Sequence, residues 1–244
     1  MQVIQNPNFH IDPGALHADL VRMRHGRKPL ARPVVILGGW HAPGVATWGI
    51  ASFLRPHTSG IKGDFLSITY PMAASIAAAA KAVLNTIRAR GLENTEVDII
   101  GISMGGLVAR AMLGGLYGAA PFRAARVFTV ATPHRGASLA RIVRPDASAR
   151  EMQPGSEFLS RLDGLGVTLG YEMHCYAILR DWWVGASNCA PPGREPFWVD
   201  PTAVHTRLLS HFAINHDPRV LADIARRLRA EEPIAGAPSR PPRD

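Results

Sequence analysis

The chain has 244 residues, 47% hydrophobic and 19% charged, which suits one sizeable globular domain and excludes a disordered polymer. Its 27 basic against 19 acidic side chains give a formal charge of +8. The arginines are nevertheless scattered (Arg22, Arg24, Arg27; Arg141, Arg144; Arg226, Arg227, Arg229) with no aromatic-interleaved basic stripe, so no nucleic-acid partner is expected.

No apolar run reaches the roughly 18 residues that a spanning helix needs. Met1–His10 lacks the apolar stretch of a secretory signal, and Cys175 and Cys189 are too few for a disulfide framework. A reduced cytoplasmic protein is the expectation, with no more than a weak attraction to anionic membrane surfaces.

Residues 1–32 read as an N-terminal appendage, in which Asp12 caps and Pro13 opens a short basic helix to about Arg24. From 33 to 230 strand and helix patterns alternate. Val34–Leu37 is a continuous apolar run closed by Gly38-Gly39, as in a strand buried on both faces. Phe65–Tyr70 is a second strand ended by Pro71, and Met72–Arg90 is an alanine-rich helix stopped by Gly91. Val97–Gly101 is a third strand. Met104–Tyr117 reads as a helix despite its glycines, and Val127–Val130 is a fourth strand broken at Thr132-Pro133. An insertion around 135–173 contains a helix near Pro154–Leu162. His174–Leu179 and Ala203–Leu209 read as the fifth and sixth strands, and Pro218–Arg229 as a closing amphipathic helix. The tail, 231–244, holds four prolines and few large apolar residues and is expected to be disordered. Strands separated by helical crossovers predict an α/β protein, a mostly parallel twisted sheet with helices on both faces.

The most informative segment is Gly101-Ile102-Ser103-Met104-Gly105. It follows an apolar strand and opens a helix, the setting of a nucleophile elbow, in which a tight turn raises the serine hydroxyl over the carboxyl edge of the sheet. Side chains at Gly101 and Gly105 would collide with the neighbouring strand and helix. An oxyanion hole needs two backbone N–H groups. Met104, directly after the serine, is the first candidate; Trp40, in the loop Gly38-Gly39-Trp40-His41, is favoured for the second, with His41 its neighbour.

Gly101-Ile102-Ser103-Met104-Gly105-Gly106 with Ala109-Arg110, and then Ala131-Thr132-Pro133-His134-Arg135-Gly136-Ala137, resemble the lipase and esterase branch of the α/β-hydrolase superfamily. The resemblance covers roughly Pro33 to Leu228. It implies the α/β-hydrolase fold and cleavage of carboxylic esters by a Ser-His-Asp triad through an acyl-enzyme, without a cofactor. Members of that branch usually carry His-Gly after the first core strand, ahead of a bulky residue that supplies an oxyanion N–H. Here Gly38 stands at the histidine and Trp40 at the bulky residue.

Chain order in this fold is nucleophile, carboxylate, histidine. Asp146, Asp163, Asp181, Asp200 and Asp217 are the downstream carboxylates. Asp181, just past Cys175–Arg180, is favoured, and Ile178–Val184 resembles the family's strand-then-Asp pattern; Asp200, after Phe197–Val199, is the rival. Of the late histidines His205, His211 and His216, the favoured base is His211, expected on a loop before the closing helix. Its segment through Val220 resembles the family's terminal histidine loop, whereas His216 is expected to cap or hydrogen-bond near that helix start. Their spacing matches no zinc pattern, so no metal is expected. The insertion is expected to form a small cap over a pocket for short or medium acyl groups, and Trp40, Trp48, Trp182 and Trp183 are placed either to line that pocket or to sit in the core. The same triad would also serve a thioesterase or acyltransferase acting on acyl-CoA or carrier-linked chains, so small-molecule or lipid esters are the first expectation and thioesters the alternative.

Overall fold

The computed structural model describes residues 4–143, 145–165, 170–201 and 207–242. In chain order its elements are α1 (Pro13–His25), β1 (Val34–Leu37), α2 (Val45–His57), β2 (Phe65–Ile68), α3 (Ile76–Ala89), β3 (Glu96–Ile102), α4 (Met104–Leu113), β4 (Arg123–Val130), α5 (Ala147–Glu151), α6 (Glu157–Gly164), β5 (Glu172–Ile178), β6 (Phe197–Val199), α7 (Arg207–Ala213) and α8 (Pro218–Leu228). The strands form one sheet in the order β2-β1-β3-β4-β5-β6, with every neighbouring pair parallel.

Side chains alternate across a strand, and here both faces are apolar. Val35, Leu37, Val97, Ile99 and Val127 pack with α3, α4 and α6 in one core. Val34, Ile36, Ile100, Ile102, Phe128 and Val130 pack with α1, α2 and α8 in the other. Burial on both faces is why β1 reads as an unbroken apolar run, and each fully buried Val, Leu or Ile contributes about 2 kcal/mol of transfer free energy. Local signals set the helix starts. Asp12 accepts the Gly14 and Ala15 N–H groups, Ser75 accepts Ala78 N–H, and Asp217 accepts Arg219 N–H ahead of Pro218.

Three segments differ from what the sequence suggests. The sixth strand is Phe197–Val199, not Ala203–Leu209; residues 202–206 lie outside the described residues, and Arg207 opens α7. Leu208-Leu209 reads locally like a strand, but Ser210 and His211 turn inward while Leu209 and Phe212 face solvent, which is helical spacing rather than alternation. The helix α2 was not expected at all. Gly49 and Pro56 argue against one, yet Pro56 falls in the last turn and costs a single hydrogen bond there.

The tail is the third. It has no regular structure through residue 242, but it is fastened. Glu231 pairs with Arg22, Lys28 and Arg229, the buried Ala235 donates its N–H to Asp223, Gly236 N–H reaches the Asn8 carbonyl, and the Ser239 hydroxyl accepts the Trp198 indole N–H. Backbone groups and charges hold it, so its low apolar content did not reveal the attachment.

The chain leaves β1 for β2 on one side and returns to place β3 on the other. Such a reversal opens a crevice at the carboxyl ends of the two strands, where ligands of open α/β sheets bind. The loop after β1 carries Gly38 to His41, and the turn after β3 carries Ser103. Among the described residues no helix is long and apolar enough to cross a membrane.

Candidate active site

Ser103 sits between β3 and α4 with φ 50° and ψ −121°, a left-handed strained conformation. Its N–H donates to the Val130 carbonyl of β4. The flanking glycines make this turn possible. A Cβ on Gly101 would lie 2.5 Å from Gly106 Cα, and one on Gly105 would lie 2.5 Å from the Leu37 carbonyl oxygen. The strand and the helix are too close for side chains there.

His211, on α7 rather than on the expected loop, brings its Nε2 to 3.2 Å from Ser103 Oγ. Its Nδ1 lies 2.8 Å from Asp181 Oδ2. Asp181 follows β5 by three positions, past Arg180, which holds φ 63°. Its other oxygen accepts the Trp183 and Val184 N–H groups at 2.9 and 3.1 Å. Asp181 and His211 are both buried. Because the carboxylate can only accept, Nδ1 carries the proton, and the free Nε2 lone pair is left for the serine O–H.

The other carboxylates are engaged elsewhere. Asp200 accepts Ile4 N–H and pairs with Arg180, Asp163 pairs with Arg110, and Asp217 caps α8 and binds Arg219. Asp146 caps α5. His205 lies outside the described residues. The cap expected of His216 is supplied by Asp217, and His216 packs beside Gly49 of α2. Cys175 and Cys189 are both buried, with burial raising the Cys175 pKa to about 11. His134, in the Thr-Pro-His segment, is fully buried. Desolvation holds it well below its ordinary pKa, next to the positive Arg110. Its Nδ1 accepts from Arg110 and its Nε2–H donates to Thr129.

A cavity of about 560 Å³ opens beside Ser103. Its wall is largely apolar: Leu139, Val143 and Met152 from the 135–173 segment line it together with Trp183, Phe212, the serine and His211. Of the four tryptophans, Trp40 and Trp183 line it; Trp48 and Trp182 do neither that nor join the core, and both are exposed. The loop after β1 passes close over the serine, since a Cβ on Gly39 would lie 3.3 Å from Ser103 Cβ. Met104 is the first residue of α4, so its N–H has no acceptor within the helix.

Residues 70–143, less than a third of the chain, match the family model described as a PGAP1-like alpha/beta domain. No curated protein sequence matches. Among solved structures, the Bacillus licheniformis lipase BlEst2 in propeptide form aligns with TM-score 0.56 and 16% identity over 93% of this chain and 53% of the lipase. The product of Listeria innocua gene lin2722 aligns with TM-score 0.57 and 10% identity over 82% and 95%. The phospholipase PlaB from Legionella pneumophila, in complex with thio-NAD, aligns with TM-score 0.51 and 16% identity over 61% and 37%. The chain therefore spans about a third of that phospholipase and half of that lipase.

The fold is that of the α/β-hydrolases. Within this α/β-hydrolase fold the serine occupies the strand-to-helix turn after β3, His211 reaches it from α7, and Asp181, just past β5, reaches His211. Two residues at this site carried no such signal in the sequence. In the sequence His41 is a neighbour of the oxyanion candidate and Asp146 one of several downstream carboxylates, yet they meet at 2.6 Å beside the cavity. Nothing local links positions 105 residues apart; only the packing of the insertion against the β1 loop joins them.

Proposed function

We propose that the chain is a serine hydrolase that cleaves carboxylic esters, with Ser103 as nucleophile, His211 as base and Asp181 as its orienting acid. The observation that carries this reading is the hydrogen-bonded line from Asp181 through His211 to Ser103, on the wall of an apolar cavity. His211 Nε2 takes the Oγ proton as the oxygen attacks the ester carbonyl carbon. The Met104 and Trp40 N–H groups hold the resulting oxyanion. Collapse breaks the bond to the alcohol, which leaves with the proton from His211. Water then gives a proton to the same nitrogen and attacks the acyl-enzyme, which releases the acid and restores the Ser103 hydroxyl. Asp181 fixes the tautomer and stabilises the imidazolium without taking its proton.

The cavity walls favour an apolar acyl group, and the modest volume favours short or medium chains. The test is hydrolysis of p-nitrophenyl esters of increasing chain length together with labelling by a fluorophosphonate probe. Wild type should turn over and label, whereas Ser103→Ala should do neither. Equal labelling of both proteins, or no turnover of any ester, would overturn the reading.

A further inference from the structure

His41 directly follows Trp40, and its backbone is held at φ 45°, in the left-handed region that a residue with a side chain seldom adopts. Both of its ring nitrogens meet acceptors. Nδ1 lies 2.5 Å from the Pro71 carbonyl oxygen, and Nε2 lies 2.6 Å from Asp146 Oδ2. A carbonyl and a carboxylate have no proton to donate, so the two contacts are hydrogen bonds together only when both ring nitrogens are protonated. The geometry describes an imidazolium.

Asp146 is the hub of this contact. The same Oδ2 accepts the Trp40 indole N–H at 3.1 Å. Its Oδ1 accepts the Ser148 hydroxyl and the Ala149 N–H at the start of α5. One carboxylate therefore ties the side chains of Trp40 and His41 to the insertion, while Pro71 grips the opposite edge of the imidazole.

We propose that the His41 imidazolium, clamped between Asp146 and the Pro71 carbonyl, is a positioning residue for the Trp40 N–H, so that turnover needs His41 charged while it needs His211 neutral. This rests on the oxyanion role given to Trp40 above. His41 acts through the backbone of its neighbour and touches no reacting atom.

The electrostatics agree with the geometry. The Pro71 carbonyl first, and then Asp146, raise the His41 pKa above its ordinary value against a smaller desolvation effect. Burial pushes the Asp146 carboxyl up, but its bonds to Ala149 N–H, Ser148, His41 and Trp40 outweigh that and hold it at about 2. Among the described residues Asp146 is the charged group in contact with the ring. Glu151, at the end of α5, acts on Asp146 and is bound to the Ile76 N–H; His211 and His216 line the same cavity. With its pKa raised, the clamp is intact at low pH and is lost as pH rises through that value.

The experiment is the pH profile of kcat and KM for p-nitrophenyl butyrate with wild type, His41→Gln, His41→Arg and Asp146→Asn, beside an NMR titration of the His41 ring. In wild type kcat should fall on the alkaline side at the pKa read by NMR, and Asp146→Asn should move both to lower pH. His41→Gln should lower kcat by about 10- to 100-fold with little change in KM, and should lack the alkaline fall. His41→Arg, whose charge does not titrate, should recover part of kcat and keep it at alkaline pH. A purely structural role would instead depress every variant equally at all pH values. An alkaline fall that persists unchanged in His41→Gln, or a His41 pKa indifferent to Asp146→Asn, overturns the clamp alone. A wild type that hydrolyses no ester overturns the hydrolase reading and the clamp with it.

Discussion

The Trp183 indole lies nearly parallel to the His211 imidazole, with 10° between the planes and 5.6 Å between centroids. Phe212 meets both rings edge-on. The imidazole is thus held on one face by a stacked indole and at one nitrogen by Asp181, leaving it little freedom to turn away from Ser103. Trp183→Ala should lower kcat for p-nitrophenyl butyrate by about 10-fold through misplacement of His211, and Trp183→Phe should retain most of it. Unchanged steady-state kinetics in Trp183→Ala would show that the stack does not restrain the ring.

Asp181→Asn keeps an oxygen for the Trp183 and Val184 N–H groups but turns an amide donor toward His211 Nδ1. The imidazole should then carry its proton on Nε2, the nitrogen that must accept from Ser103. A fall in kcat on the order of 10⁴-fold is expected with the circular dichroism spectrum unchanged. A loss of only a few-fold would remove Asp181 from the proposed triad and return attention to the other carboxylates.

Gly105→Ala would place a methyl group 2.5 Å from the Leu37 oxygen and 2.8 Å from the Gly38 oxygen. The helix and the β1 loop must separate to admit it. Overpacking of this kind costs about 1–3 kcal/mol, and for a chain of this size each kcal/mol lowers Tm by about 2–4 °C. Gly164→Ala, in α6, meets no atom of the described residues within 4 Å and should leave Tm unchanged or slightly raised. Calorimetry of the two variants is the check.

Asp223 is fully buried and accepts the Tyr176 hydroxyl, the Arg227 guanidinium and the Ala235 N–H. Asp223→Ala would orphan three donors, one of them charged, at a cost of about 3–5 kcal/mol. Urea unfolding should show a lower midpoint, and hydrogen exchange should show faster exchange at Ala235. Exchange there that is unaltered would mean that the tail is held by its other contacts.

Much of the α/β architecture is legible in short-range pattern. The apolar runs at Val34–Leu37 and Val97–Ile100, the proline after Asp217 and the glycine-serine-glycine turn each state a local preference that the tertiary fold obeys. What escaped reading has one physical origin. Leu208-Leu209 looks like a strand until packing turns Ser210 inward. Pro56 looks like a breaker until it falls in a final turn. The tail looks disordered until Asp223 of the preceding helix and Asn8 from the far end of the chain supply partners.

Residue type and spacing along the chain are enough to specify the parallel sheet, the turn that carries Ser103, and a short set of late acids and histidines. That Asp181 meets His211, that His211 meets Ser103, and that His41 meets Asp146 beside them follows from packing in three dimensions. Hydrogen bonds act over about 3 Å, and groups far apart in sequence come that close only after the sheet and its two apolar cores have fixed the loops that carry them.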